Sequence, residues 1–421
     1  MAPLKVVFLA LNSPGYRSLG CAYVRAYAQQ SGRLRGKAAF TTLDLDVGTD
    51  PWWVAYRVLQ LEPDVVAASV MCWSARDTYE ALRIVKAAAP DTFVVAGGPE
   101  VSPIAEAVLV RHPEIDVVVT GEGEVTFAEM LSAYAEGRPL GRVDGIAFRA
   151  DDGAVRATAP RQLVSALDEL PSPYLTGVLQ PIDGATYIET YRGCPHQCGY
   201  CFESKGSTRV RSFSKQRVEA EIAFVASAPN VRTFSFIDPV FNLTRERLEW
   251  LSSVLRPYAD KGARVHTVEV DIERIDDEDA DLLARAGVAS VETGPQTIGS
   301  RALEACRRRF DRERFVAGVE ACKRHGIRVE CDLIVGLPGD TVDDALESMR
   351  FCLSLDPGKI QVSTLRVLPG TDFWVRAGEH GLVFDPEPPH EIIQTREASF
   401  VDLRRAEARL TWLQRQYEAK V

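Results

Sequence analysis

Short, nearly continuous apolar runs alternate along the chain with amphipathic stretches, and the alternation comes in two series. The first reads KVVFLALN, a helical pattern from about Leu19 to Gln30, AAFTTLDL, VAYRVLQL, DVVAASVM, a helical pattern from Thr78 to Ala89, and TFVVAGGPE. Strand-length apolar runs separated by helical patterns predict a parallel sheet covered by helices. Turn residues follow these strands at Asn12 to Gly15, Gly97 to Pro99 and Gly121 to Gly123, which sets a ligand crevice at the carboxyl ends of the strands. From about Asp151 to Gly184 the pattern loosens into DDG, PSP and isolated prolines, the marks of a final strand pair and a linker.

The second series starts at Ala185 with ATYIETYRG, TFSFID, RVHTVEVD, ASVETG, IRVECDLIVG and KIQVSTLRVLPG, separated by helical patterns such as Ser214 to Ala226 and Thr341 to Ser354. Six strand and helix repeats predict a partial (β/α)6 barrel, whose chemistry belongs at the carboxyl ends of its strands. The expected fold class is therefore α/β. It comprises a doubly wound Rossmann-like domain over 1–145, a linker over 146–184, the partial barrel over 185–370 and a short helical extension over 371–421. The extension ends in a charged helix near Asp402 to Lys420, and the pattern assigns it no role.

Length supports this division, since 421 residues exceed what one core usually supports. Hydrophobic residues at 46% and charged residues at 26% are ordinary for a globular protein. No run approaches the roughly 20 apolar residues of a membrane helix, and the apolar start reads as a first strand, not a signal peptide. A net charge of −10 argues against a general grip on nucleic acid, although Arg307, Arg308 and Arg309 form a local basic run; small-molecule or peptide substrates are favoured. Nine cysteines without a secretory signal point to a reducing, cytoplasmic setting. Six of them (Cys21, Cys72, Cys306, Cys322, Cys331, Cys352) are scattered and read as small core hydrophobes.

The other three share one short loop, Tyr191-Arg-Gly-Cys194-Pro-His-Gln-Cys198-Gly-Tyr-Cys201, a C-x3-C-x2-C spacing that can wrap one inorganic core. Thiolates suit iron and zinc, but structural zinc takes four protein ligands, so three cysteines leave a position open. His196, inside the loop, is the alternative fourth ligand for zinc.

This loop, with an aromatic Tyr200 before its last cysteine, resembles the radical S-adenosylmethionine superfamily, and the resemblance extends over roughly 185–370. It implies a 4Fe-4S cluster on Cys194, Cys198 and Cys201, with S-adenosylmethionine chelating the open iron and yielding a 5′-deoxyadenosyl radical. It also implies an external electron donor such as flavodoxin or ferredoxin. VEVDIERI, GPQTIGSRALEACRR and CDLIVGLPGDT resemble, in order, segments of oxygen-independent coproporphyrinogen oxidases. Carried over, Glu269, Gln296, Arg308 and Asp332 become candidate S-adenosylmethionine contacts, with Tyr200 beside them and the backbone at Gly336 and Leu337 toward adenine. Carboxylates suit ribose hydroxyls and a guanidinium suits the methionine carboxylate; solvated surface charge is the plain alternative for each. FSFIDPVFN departs from the usual glycine-rich second-strand motif, making Asp238 a candidate for the methionine amine, with Glu292 a weaker one.

Residues 1–145 resemble the cobalamin-binding domain of one large class in that superfamily, through ALNSPGYRSLG, SVMCWS, VVAGGPE and TGEGEVTF. Small residues at Ser69, Gly97 and Gly98 would allow close approach to a corrin, although such glycines are also ordinary turn residues. Where related domains carry D-x-H-x-x-G, this chain has Gly15-Tyr-Arg17-Ser-Leu-Gly20. The resemblance thus implies cobalamin without a histidine ligand, with Arg17 or Tyr16 near the lower face; Trp52, Trp53 and Trp73 are further candidate neighbours, or packing residues. The expected activity is methyl transfer from methylcobalamin to an unactivated carbon after radical hydrogen abstraction. The competing readings are a cyclisation, rearrangement or ring contraction with the same cofactors, and a non-catalytic sensor. No residue run marks the substrate.

Overall fold

The first apolar run becomes a central strand because six consecutive residues, Val6 to Leu11, are buried, as a strand covered on both faces requires. In the computed structural model, which describes residues 2–203 and 209–420, the chain divides between Gln180 and Pro181 into two units. Unit one contains, in order, β1 (Leu4–Asn12), α1 (Leu19–Gln30), β2 (Ala38–Asp46), α2 (Pro51–Leu59), β3 (Val65–Ser69), α3 (Ala75–Ala88) and β4 (Phe93–Gly97). It continues with α4 (Ala105–Arg111), β5 (Val117–Val119), α5 (Gly123–Ala135), β6 (Ile146–Arg149) and β7 (Val155–Ala157). The sheet order is β2-β1-β3-β4-β5-β6-β7, parallel through β5 and antiparallel thereafter.

Alternation along β1 feeds two cores. Val7, Leu9 and Leu11 pack with Val54 and Val58 of α2, Leu82 and Val85 of α3 and Leu109 of α4. Val6, Phe8 and Ala10 pack with Cys21 and Ala28 of α1 and Phe127 and Leu131 of α5. The sheet is thus doubly wound, and its strand order reverses between β1 and β3, which opens a crevice there. VAYRVLQL is a helix, not one more strand: Asp50 caps the Trp52 and Trp53 amides, Pro51 starts the first turn, and Val54, Ala55 and Val58 fall on one face. The segment 146–184 is not simply a linker, because its strand pair β6 and β7 completes the first sheet.

Unit two contains β8 (Tyr187–Ile188), β9 (Tyr191–Arg192), β10 (Arg211–Ser212), α6 (Lys215–Ala226), β11 (Thr233–Phe236), α7 (Arg245–Ala259), β12 (Arg264–Glu269) and α8 (Asp277–Arg285). It continues with β13 (Val288–Gln296), α9 (Ser300–Ala305), α10 (Arg312–Arg324), β14 (Arg328–Val335), α11 (Val342–Ser354) and β15 (Lys359–Thr364). The chain ends through α12 (Asp372–Val375), α13 (Ala377–His380), β16 (Val383–Phe384), β17 (Ile392–Gln394) and α14 (Phe400–Glu418). Six parallel strands follow one another in the order β8-β11-β12-β13-β14-β15, an open (β/α)6 sheet. Residues in register share a face, so Val268, Val291 and Val329 point to the apolar side, while Glu269 and Glu292 stand together on the other. Residues 371–420 are built into this unit: Ile392 N–H donates to Leu365 O at 3.0 Å, and α14 packs on α11 and β15. Among the described residues, no helix is long and apolar enough to cross a membrane.

Candidate active site

The three cysteines follow the β9 strand in a loop where each sulfur accepts one N–H. His196 N–H donates to Cys194, Arg308 Nη1 to Cys198 Sγ at 3.5 Å, and Glu203 N–H to Cys201 Sγ at 3.4 Å. Burial pushes the Cys194 thiol up and Cys201 to about 12, while the N–H donors beside the sulfurs favour thiolates. Among the described residues no three His, Cys, Asp or Glu side chains stand in a metal-binding arrangement; the sulfurs are assigned by donor type and loop. His196, which zinc would need as a fourth ligand, instead faces Asp271, Nε2 to Oδ2 at 3.7 Å.

Arg308 joins this loop to the next strand. Its Nη1 also reaches Tyr200 OH at 3.1 Å, its Nη2 donates to Gly294 O at 2.8 Å, and its buried Nε has no partner among the described residues. Gln296 ends β13 at a register shift against β14, with φ +61°, a left-handed conformation that costs a non-glycine residue about 1–3 kcal/mol. A Cβ on Gly294 would lie 2.0 Å from Gln296 Nε2, so the glycine makes room for the amide. The structure therefore brings Tyr200, Arg308 and Cys198 into contact, with Gln296 packed on the Gly294 whose carbonyl Arg308 holds.

Beside them lies a row of carboxylates, Glu269, Glu292 and Asp332, on the polar face of the second sheet. Burial, then the charge and hydrogen bond of Glu292, then Glu269, raise Asp332 to about 9, and its buried Oδ1 has no partner among the described residues. Glu269 keeps an exposed edge, yet the protein around it, with Glu292 and Glu203, raises it to about 7. Among the described residues, no cation is among the groups that shift either one. Such a row suits a cationic or hydroxyl-rich ligand.

One residue read as a ligand contact is occupied otherwise, and a second also answers to packing. Asp238 is fully buried, accepting from Thr190 N at 2.8 Å, Thr190 Oγ1 at 2.5 Å and Arg247 Nη2 at 2.7 Å, so its carboxylate is committed inside the unit. Gly336, at φ +92°, is needed because a Cβ would lie 2.8 Å from Cγ2 of Ile392, a packing reason independent of adenine. Asp340, to which the sequence assigns no role, is nearly fully buried and accepts from Thr297 Oγ1 at 3.1 Å, so it ties the turn after Gln296 to the start of α11.

In unit one, Asn12 and Ser69 lie at the carboxyl ends of β1 and β3, flanking the crevice. Asp44 pins the intervening loop, accepting from Asn12 Nδ2 at 2.8 Å and Ser18 N at 2.9 Å, with Arg17 exposed beside it. Ser69 pairs with Gly97 across β3 and β4. Gly97 has open space apart from Val119 at 3.8 Å; Gly98, at φ +113°, would drive a Cβ to 2.6 Å from Val70 O, so its glycine serves the fold. Trp52, Trp53 and Trp73 are at least half exposed. The one histidine of this unit, His112, follows α4, stacked on Tyr79 at 3.9 Å and bonded to Glu114 at 3.1 Å.

Comparison with known proteins agrees with this layout. Residues 188–352 match the Radical SAM superfamily model, and residues 14–131 match the B12 binding domain model. An uncharacterized methyltransferase of Pyrococcus horikoshii is 27% identical over 339 residues, 78% of this chain and 72% of that protein. The cobalamin-dependent radical SAM methyltransferase TokK of Streptomyces tokunonensis is 29% identical over 395 residues, 87% of this chain; the chain spans only 55% of TokK. The radical S-adenosylmethionine methyltransferase TsrM of Kitasatospora setae, solved with tryptophan and an S-adenosylmethionine analogue, shares the fold. Its TM-score is 0.78 at 19% identity, over 97% of this chain and 89% of that one.

Proposed function

As a member of the radical S-adenosylmethionine enzymes that carry a B12-binding domain, this chain, we propose, moves a methyl group from S-adenosylmethionine to an unactivated carbon of a small molecule. The observation that carries the reading is the conjunction of a three-thiol loop and a cobalamin-type crevice fold in one chain. When bound, the cluster supplies the electron that cleaves S-adenosylmethionine reductively, and the corrin carries the methyl group.

The residues present fit these groups. Cys194, Cys198 and Cys201 would hold three irons, each sulfur already facing an N–H donor. Arg308, whose Nε lacks a partner among the described residues, would take the methionine carboxylate while its Nη atoms keep Tyr200 and Gly294 in place. Glu269, Glu292 and Asp332 would accept from the cationic and hydroxyl-bearing parts of the ligand, which offsets the negative charge that, after burial, raises Glu269 and Asp332. Asp332, protonated at neutral pH, holds its proton toward Glu292. In unit one, Ser69 and Gly97 leave the crevice wall low enough for a flat ligand, and the Asp44-pinned loop offers Arg17 where a histidine would otherwise stand.

The test is anaerobic reconstitution with iron, sulfide and cobalamin, then reduction with dithionite in the presence of S-adenosylmethionine. Formation of 5′-deoxyadenosine by the wild type and its loss in Cys201→Ala support the reading. Equal formation by both would refute it.

A further inference from the structure

Gly199, between the second and third cysteines, is hydrogen-bonded on both sides to segments remote in sequence. Its N–H donates to Cys306 O at 3.0 Å, and its carbonyl accepts from Phe373 N–H at 3.1 Å. Those two segments are also tied to each other, because the neighbour of Cys306, Arg307, pairs through Nη2 with Oδ1 of Asp372, the neighbour of Phe373. Three contacts thus close a triangle around one peptide of the cysteine loop.

Side-chain packing repeats the arrangement. Phe373 is fully buried, and a Cβ on Gly199 would lie 2.7 Å from its Cε1 and 3.1 Å from its Cδ1. Gly199 has an ordinary φ, so its lack of a side chain serves this ring and not a turn. Phe373 is held from behind by His380, with ring centres 4.9 Å apart, and Asp372 by Arg376 at 3.5 Å and His380 at 3.4 Å as well as by Arg307. Thr371 caps the short helix by accepting from Trp374 N–H at 3.2 Å. A segment with no chemistry of its own is thereby built tightly against the loop.

We propose that residues Thr371 to His380 form part of the cluster's housing, with Phe373 a positioning residue that sets the Gly199 peptide and, through it, the thiols of Cys198 and Cys201. This rests on the reading of Cys194, Cys198 and Cys201 as cluster ligands. The ring fixes where the loop turns between two ligands. Its removal lets the loop relax and releases iron.

The experiment compares full-length wild type, Phe373→Ala, Phe373→Leu, Gly199→Ala and the double variant Gly199→Ala/Phe373→Leu after anaerobic reconstitution. The readouts are iron and sulfide per chain, the electron paramagnetic resonance spectrum of the reduced cluster, and the rate of visible bleaching in air. Phe373→Ala is expected to bleach on the order of tenfold faster than wild type, equivalent to ~1.4 kcal/mol, with altered g values. Gly199→Ala is expected to load poorly. Because leucine lacks the Cε1 atom, the double variant is expected to load better than Gly199→Ala alone. Circular dichroism of the unloaded variants checks folding, and Phe373→Leu serves if the alanine variant does not fold. Wild-type spectra and bleaching in Phe373→Ala, or no recovery in the double variant, overturn the proposal while the cluster reading stands. A wild type that takes up no iron and sulfide overturns both.

Discussion

Replacing Asp332 by asparagine should make the protein more stable relative to wild type as pH rises. The folded carboxyl titrates near 9 against 3.8 when unfolded, raised by burial and then by Glu292 and Glu269. Between those values the folded state keeps a proton that the unfolded chain gives up, so wild-type stability falls with rising pH. The full slope is about 1.36 kcal/mol per pH unit, or about 4 kcal/mol from pH 5 to pH 8. Asp332 is only partly buried, so solvent screening reduces this to about 2 kcal/mol. Asparagine has the shape of the protonated acid, can donate to Glu292 and does not titrate. For a unit of this size about 2 kcal/mol corresponds to about 4–8 °C. The assay is thermal unfolding of the ligand-free protein and of Asp332→Asn at pH 5, 6.5 and 8. The difference in Tm, variant minus wild type, should grow by that amount. A difference that stays constant or shrinks would mean that Asp332 is ionised and compensated, and the account of the carboxylate row would be wrong.

Arg308→Lys replaces a fork with a point charge and cannot serve Tyr200, Cys198 and Gly294 at once; S-adenosylmethionine affinity, by equilibrium dialysis of the reconstituted protein, should fall about 10- to 100-fold. Gly98→Ala, forced against Val70 O at φ +113°, should destabilise unit one by about 2–5 kcal/mol. Gly97→Ala should change stability by less than about 1 kcal/mol yet weaken cobalamin retention, a contrast that denaturant titration and corrin content resolve. With His112 held by Tyr79 and Glu114, cob(II)alamin on the protein should show no nitrogen superhyperfine splitting from histidine in its electron paramagnetic resonance spectrum; such splitting would contradict the assignment of the Arg17 loop.

What the chain disclosed in advance was local. The cysteine spacing lies within eight residues, and the period of each apolar run is set by neighbours, so the loop and the parallel sheets could be read, whereas Arg308 and Gln296 were marked by family resemblance alone. Roles that depend on distant segments could not. Gly98 and Gly336 look like ligand-approach glycines until Val70 and Ile392 are placed against them. Asp238 looks like a free strand-end carboxylate until Thr190 and Arg247 close on it. VAYRVLQL differs, because its helix signal, the Asp50 cap with Pro51, is local and stands in the sequence itself. Nothing near Phe373 in sequence points to Gly199.

The central claim is that one chain both cleaves S-adenosylmethionine reductively and takes its methyl group. The most direct measurement is mass spectrometry of the reaction run anaerobically with S-adenosylmethionine deuterated in its methyl group, reconstituted protein, cobalamin and dithionite. The account predicts 5′-deoxyadenosine together with S-adenosylhomocysteine, and the deuterated methyl group on the corrin recovered from the protein. Production of 5′-deoxyadenosine alone, with the corrin unlabelled, would contradict it and make the chain a radical enzyme that does not methylate.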